Sequence, residues 1–96
     1  MAKYLGLKVI FVLVLFISLS NISYANSYNN NRLLSAATRG DTNIVKDALS
    51  KGANIDARDR LGNTALILAS DGGYQEIVRL LLDEGAAVNA LNIYGY

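Results

Sequence analysis

The sequence predicts an all-α solenoid of short helix–turn–helix units, each closed by an extended loop, with an apolar N-terminal helix ahead of it. Three observations carry that prediction. The chain matches itself at one fixed offset, the one that lays Leu33 on Leu66, without a gap. Each unit holds two apolar stripes at helical spacing. Glycines stand where each helix should end.

The N-terminal segment comes first. Lys3 and Lys8 give a short positive start, and the run from Val9 to Leu19 is uncharged and apolar apart from Ser18. The sequence then turns polar, and Ser23 and Ala25 flank Tyr24 in a small-x-small pattern. These three regions in this order are those of a secretory signal peptide over residues 1–25, with the cut between Ala25 and Asn26. The alternative is an uncut membrane anchor formed by residues 5–19, but that run is short against the roughly 20 residues a bilayer span needs. The expected location is therefore secreted or periplasmic, or else anchored in the membrane.

Removing this segment takes away Lys3 and Lys8 and no acid, so the formal charge falls from +1 to −1. A near-neutral chain gives no reason to expect nucleic acid as a partner, nor a membrane once the signal is cut. With no Cys and no His, the chain lacks the thiol nucleophile and the commonest general base and metal ligand. No catalytic residue, cofactor or metal site is implied.

Residues 26–31 read as a short polar linker. The first repeat unit is assigned to 32–58 and the second to 59–91. Residues 92–96 open a third. The identities at the fixed offset are Leu33/Leu66, Ala36/Ala69, Gly40/Gly73, Ile44/Ile77, Val45/Val78, Leu49/Leu82, Gly52/Gly85, Ala53/Ala86, Ala57/Ala90 and Gly62/Gly95. A period of roughly 33 residues indicates an ankyrin-type repeat array. Thr64 is placed to cap the helix that begins Ala65-Leu66, and Asn31 or Asn30 should do the same for the first unit. Gly40 and Gly73 end the first helix of each unit, where a left-handed residue is cheapest for glycine. Ile77, Val78, Leu81 and Leu82 form the stripe of a second helix, repeating Ile44, Val45, Ala48 and Leu49. Glu76 suits the positive end of that helix. Gly52 and Gly85 end the second helices, and Ile55 or Val88 should anchor the extended loop that follows.

These residues resemble the ankyrin repeat family closely. Asp59-x-x-Gly62-x-Thr64-Ala65-Leu66 is similar to its D-x-x-G-x-T-P-L opening, Ala69-Ser70-x-x-Gly73 to its A-A-x-x-G, and Ile77 through Ala90 to its second helix and turn. The resemblance covers about Asn30 to Gly95. Ala65 stands in place of the usual proline, which removes some pre-organisation of the first turn, and Ile67 in place of a frequent histidine.

One repeat cannot bury its apolar faces alone, and about three are normally needed. The first unit reads as a polar cap (Arg32, Asp41, Lys46, Asp47 and Lys51 among its polar residues). The second, with Leu66, Leu68, Leu80, Leu81 and Leu82, reads as too apolar for a terminal unit. The expectation is a truncated array, or one whose exposed C-terminal face pairs with a partner or with a second copy as a homodimer.

The resemblance implies a non-catalytic module that binds a protein through its loop tips and the exposed side of its first helices. Carried over by position, it implicates Arg58, Arg60, Leu61 and Asn63 at the complete tip and Leu91, Ile93 and Tyr94 at the next. Thr38, Arg39 and Asp71 lie at the ends of first helices. The acids in Asp56-Ala57-Arg58-Asp59-Arg60 could form a carboxylate pair for acid–base chemistry, but the turn-forming role of Asp59 explains them better. The competing readings are a membrane-tethered module and a non-functional remnant of a longer repeat protein.

Overall fold

The structure, a computed structural model, describes residues 24–96. The signal segment and the 5–19 run lie outside that range, apart from the residues that bracket the expected cut. Four helices make up the array among the described residues: α1 (residues 24–39), α2 (Thr42–Ser50), α3 (Ala65–Gly72) and α4 (Gln75–Asp83). They form two helix pairs, α1/α2 and α3/α4, joined by the loop over residues 51–64. No strand is present among the described residues, and none of these helices is long and apolar enough to cross a membrane.

Most of the expected helix signals act as read. Asp41 Oδ1 accepts from Ile44 N at 3.2 Å and so caps α2, a cap the sequence reading passed over. Thr64 Oγ1 accepts from Ile67 N at 3.3 Å and caps α3. Glu76 lies in the first turn of α4, where a negative charge meets the exposed amide groups. Gly40 and Gly73 adopt left-handed φ values of 79° and 74°, which let Asp41 N and Tyr74 N turn back onto Ala36 O and Ala69 O at 2.9 Å each.

The start of the first unit differs from expectation. Residues 26–31 are not a linker but part of α1, and neither Asn30 nor Asn31 caps it, because the helix is already under way at residue 24. Their asparagines are poor helix formers, so the local sequence argues against this helix. Tertiary bonds hold it. Asn29 Nδ2 donates to Lys51 O at 3.1 Å, and Asn30 Oδ1 accepts from Asn54 N at 2.6 Å. Both clip the N-terminal part of α1 to the loop after α2.

One core joins the pairs. Leu33, Ala36, Ala37, Val45, Ala48, Ala65, Ala69 and Leu81 are fully buried, and Ile77 is nearly so. The alanines let the helices approach closely, and each fully buried leucine contributes about 1.5–3 kcal/mol by leaving water. The apolar second unit is mostly turned inward. Of the five leucines on its two helices (Leu66, Leu68, Leu80, Leu81 and Leu82) only Leu82 is well exposed, at 43%, while Leu66, Leu68 and Leu80 pack against the core. Val88 corrects a further expectation. Ile55 packs on the core as an anchor should, but Val88 is 66% exposed, since no helix within the described residues follows to cover it.

Tyr74 locks the junction between the two pairs. Its ring lies between Gly40 and Gly72, so close that a Cβ at either glycine would fall 2.5 Å from a ring carbon. Gly40 thus serves twice, through its backbone angle and through its missing side chain.

Candidate functional site

The loop tips are built from a short asparagine and aspartate code. Asp59 Oδ1 accepts from the backbone N–H groups of Leu61 and Asn63 at 2.9 Å each, and Asp59 Oδ2 accepts from Asn63 Nδ2 at 3.1 Å. Partial burial alone would raise the Asp59 pKa, but these donors outweigh it and hold the carboxyl below its ordinary value. Asn92 repeats the arrangement at the same register of the next unit, taking the N–H groups of Tyr94 and Tyr96 at 2.9 and 3.1 Å. The backbone closes both turns, from Asp59 N to Asn63 O and from Asn92 N to Tyr96 O. Asp59 therefore shapes a turn, and Asp56 Oδ1 holds Ala87 N at 2.9 Å, so both acids of that run hold loop backbone in place.

The two tips are tied side by side. Ile93 N donates to Leu61 O at 2.9 Å, and Asn92 Nδ2 donates to Asn63 Oδ1 at 2.8 Å. Arg58 Nη1 reaches Leu91 O at 2.7 Å and Gly62 O at 3.3 Å. The side chains of Arg58 and Asn63, expected to meet a partner, are thus spent on the scaffold. Sequence reasoning passed over the Asn63–Asn92 link and the Asn30–Asn54 clip. The signal for both was present, since Asn30 and Asn63 stand at the same register of successive units.

Apart from Arg60, the implicated tip residues left facing outward are apolar. Leu61 is 44% exposed, and Leu91, Ile93 and Tyr94 are each more than half exposed. Arg60 is exposed beside Leu61. Leu91 and Tyr94 line one concavity of about 690 Å³ with Asn63 and Asp71, floored by Ile67 and Leu68 of α3. This brings four of the sequence-implicated residues together. Thr38 and Arg39 are not among them. Thr38 Oγ1 bonds back to Leu34 O at 2.9 Å, and Arg39 donates to Ser35 Oγ on its own helix at 2.9 Å. Ala25 and Asn26 are exposed and helical. Among the described residues, no three side chains of the metal-binding kinds come together.

Comparison with known proteins places this geometry. A sequence model of ankyrin repeats, in three copies, matches residues 1–92. The chain is 43% identical over 61 residues to human Ankyrin repeat and KH domain-containing protein 1, across 64% of this chain and 2% of that protein. It is 41% identical over 66 residues to mouse M-phase phosphoprotein 8, across 67% of this chain and 8% of that protein. A putative ankyrin repeat protein of Acanthamoeba polyphaga mimivirus is 36% identical over 74 residues, across 77% of this chain and 10% of that one. The chain therefore spans only a small part of the length of these relatives. Ankyrin repeats are in general protein–protein interaction modules. With its repeated helix pairs, aspartate- and asparagine-shaped tips and a family match over nearly its whole length, this chain belongs to the ankyrin repeat family.

Proposed function

We propose that the chain is a non-catalytic module, exported across the inner membrane on its N-terminal segment, that binds a protein through its tips and the adjoining surface of α3. The observation that carries this reading is the outward row of Leu61, Ile93 and Tyr94 on tips held rigid by side-chain and backbone hydrogen bonds. Exposed apolar and aromatic groups on a pre-ordered frame bind with little ordering cost. Arg60 and Asp71 rim this surface and suit a partner segment carrying both charge signs.

Photo-crosslinking from residue 94 tests the binding half of the proposal in intact cells. A partner should be trapped there and not from residue 51, and Leu61→Asp should abolish it. Equal labelling from both positions would sink it. Sequencing the N-terminus of the accumulated protein tests the export half. A first residue of Asn26 fits a cut signal, and an intact Met1 on membrane-bound protein fits the tethered alternative.

A further inference from the structure

The two ends of the array differ in kind. At the leading end, Arg32 Nη1 and Lys51 Nζ converge on Asp47 Oδ2 at 2.8 and 3.1 Å, and the Arg32 guanidinium also sits 5.8 Å from the centre of the Tyr28 ring. Asp47 occupies the register that Leu80 holds in the second unit. Leu80 faces inward, sharing a groove with Lys46, Leu49 and Ser50 of α2. The first unit therefore has an ion cluster where the second has a packing residue.

The trailing end, among the described residues, has no such cap. Val78, Arg79, Leu82 and Asp83 of α4 line one shallow concavity of about 590 Å³. Their counterparts in the first unit are Val45, Lys46, Leu49 and Ser50. Those are the surface on which the second unit sits, with Val45 fully buried and Leu49 packed against the core. The strip on α4 thus has the shape and chemistry of a face that accepts a helix.

We propose that this strip is a self-complementary interface and that its occupant is a second copy of this chain. Val78 and Leu82 are one turn apart and make one ridge. Arg79 and Asp83 are the next residues along, so both lie on the same side of that ridge, one turn apart and opposite in charge. Two α4 helices packed antiparallel about a twofold axis set the start of one against the end of the other. Arg79 of each copy then meets Asp83 of the other, and the pair forms twice. The alternative, a head-to-tail stack, would press the Arg32–Asp47–Lys51 cluster onto Val78 and Leu82 and strip the ions of water. The leading cap therefore restricts association to one face, and a twofold contact closes at two copies. This face is separate from the tip row, so the proposal stands apart from the choice of tip partner.

The chain contains no cysteine, so one introduced thiol is unique. The full chain carrying Leu82→Cys should run as a covalent dimer on a non-reducing gel after mild oxidation, and Lys51→Cys at the capped end should not. In the Leu82→Cys background, Arg79→Asp alone or Asp83→Arg alone should lower the crosslinked fraction about tenfold, the effect of roughly 1.4 kcal/mol. The double exchange of both should restore it, because the charge pair has only changed ends. Because Arg79 and Asp83 are also four residues apart on one helix, unchanged far-ultraviolet circular dichroism and melting of the single variants are the check that excludes misfolding as the cause of their effects. The proposal is overturned by equal crosslinking from both positions, by no dimer from Leu82→Cys, or by crosslinking indifferent to the charge changes. It is likewise overturned by a residue 82 thiol shielded in a monomer, the mark of a further repeat or an unrelated protein on the strip.

Discussion

Leu33 and Leu66 stand at the same point of their units, yet Leu33 is fully buried and Leu66 is only partly so. Leu49 packs against the core while Leu82 is 43% exposed, and Ile55 packs where Val88 is 66% exposed. Gly40 faces the Tyr74 ring, whereas a Cβ on Gly73 would meet nothing within 4 Å. The same residue at the same register thus lives in two environments. In an array the neighbour on each side, and not the unit itself, decides what a side chain contributes.

Matched substitutions in the two units can break or sharpen that comparison. The largest difference is expected for leucine truncation. Leu33→Ala should cost about 2–5 kcal/mol, as removal of a fully buried leucine does, and Leu66→Ala distinctly less. Denaturant melts of the two variants side by side provide the check, and equal losses would break the comparison. Glycine replacement comes next. Gly73→Ala should cost about 1–2 kcal/mol for its left-handed angle alone. Gly40→Ala should exceed that, because its methyl group also strikes Tyr74. Thermal denaturation of the pair should show the gap. Third, Thr64→Ala should lose about 1 kcal/mol with its cap bond, while Asn31→Ala at the same register should lose nothing measurable, since residue 31 is exposed in mid-helix. Helix content and melting midpoint follow both.

The smallest effect concerns acid. The Asp59 carboxyl lies below its ordinary pKa in the folded chain: burial opposes this, and the donors from Asn63 and Leu61 prevail. A folded pKa below the unfolded one gives stability that is fully present above the unfolded value, near pH 4, and fades as pH falls through the folded value. Asp47 adds to the same trend, lowered first by its bond to Arg32 and then by Lys51. Loss of stability should therefore begin below about pH 4, and Asp59→Asn should flatten that part of the profile in a pH series of melts. A profile unchanged by Asp59→Asn would show that the turn does not depend on the charge.

Much of this architecture was legible because identity at a fixed offset reports the unit directly. The cap at Thr64 and the helix ends at Gly40 and Gly73 depend on local backbone chemistry, which a few adjacent residues specify. Three features did not yield to that reading. The helix over residues 24–31 opposes its own composition and depends on Asn29 and Asn30 reaching the next loop. Val88 matches Ile55 in type, but burial depends on what lies beyond it. Arg58 and Asn63 looked like contact residues because tips are exposed. Their partners, Leu91 and Asn92, belong to the following tip, a separation that single-unit logic does not consider.

The seat of Tyr74 between two glycines also gives the molecule a built-in optical reporter. The chain has no tryptophan, and Tyr24, Tyr28, Tyr94 and Tyr96 are all well exposed. Among the described tyrosines only Tyr74 is drawn in from the surface, at the point where the two helix pairs meet. Near-ultraviolet circular dichroism in the tyrosine band should therefore follow the parting of the pairs themselves, while the far-ultraviolet signal follows the helices, so that one sample in one cuvette can tell separation from unwinding.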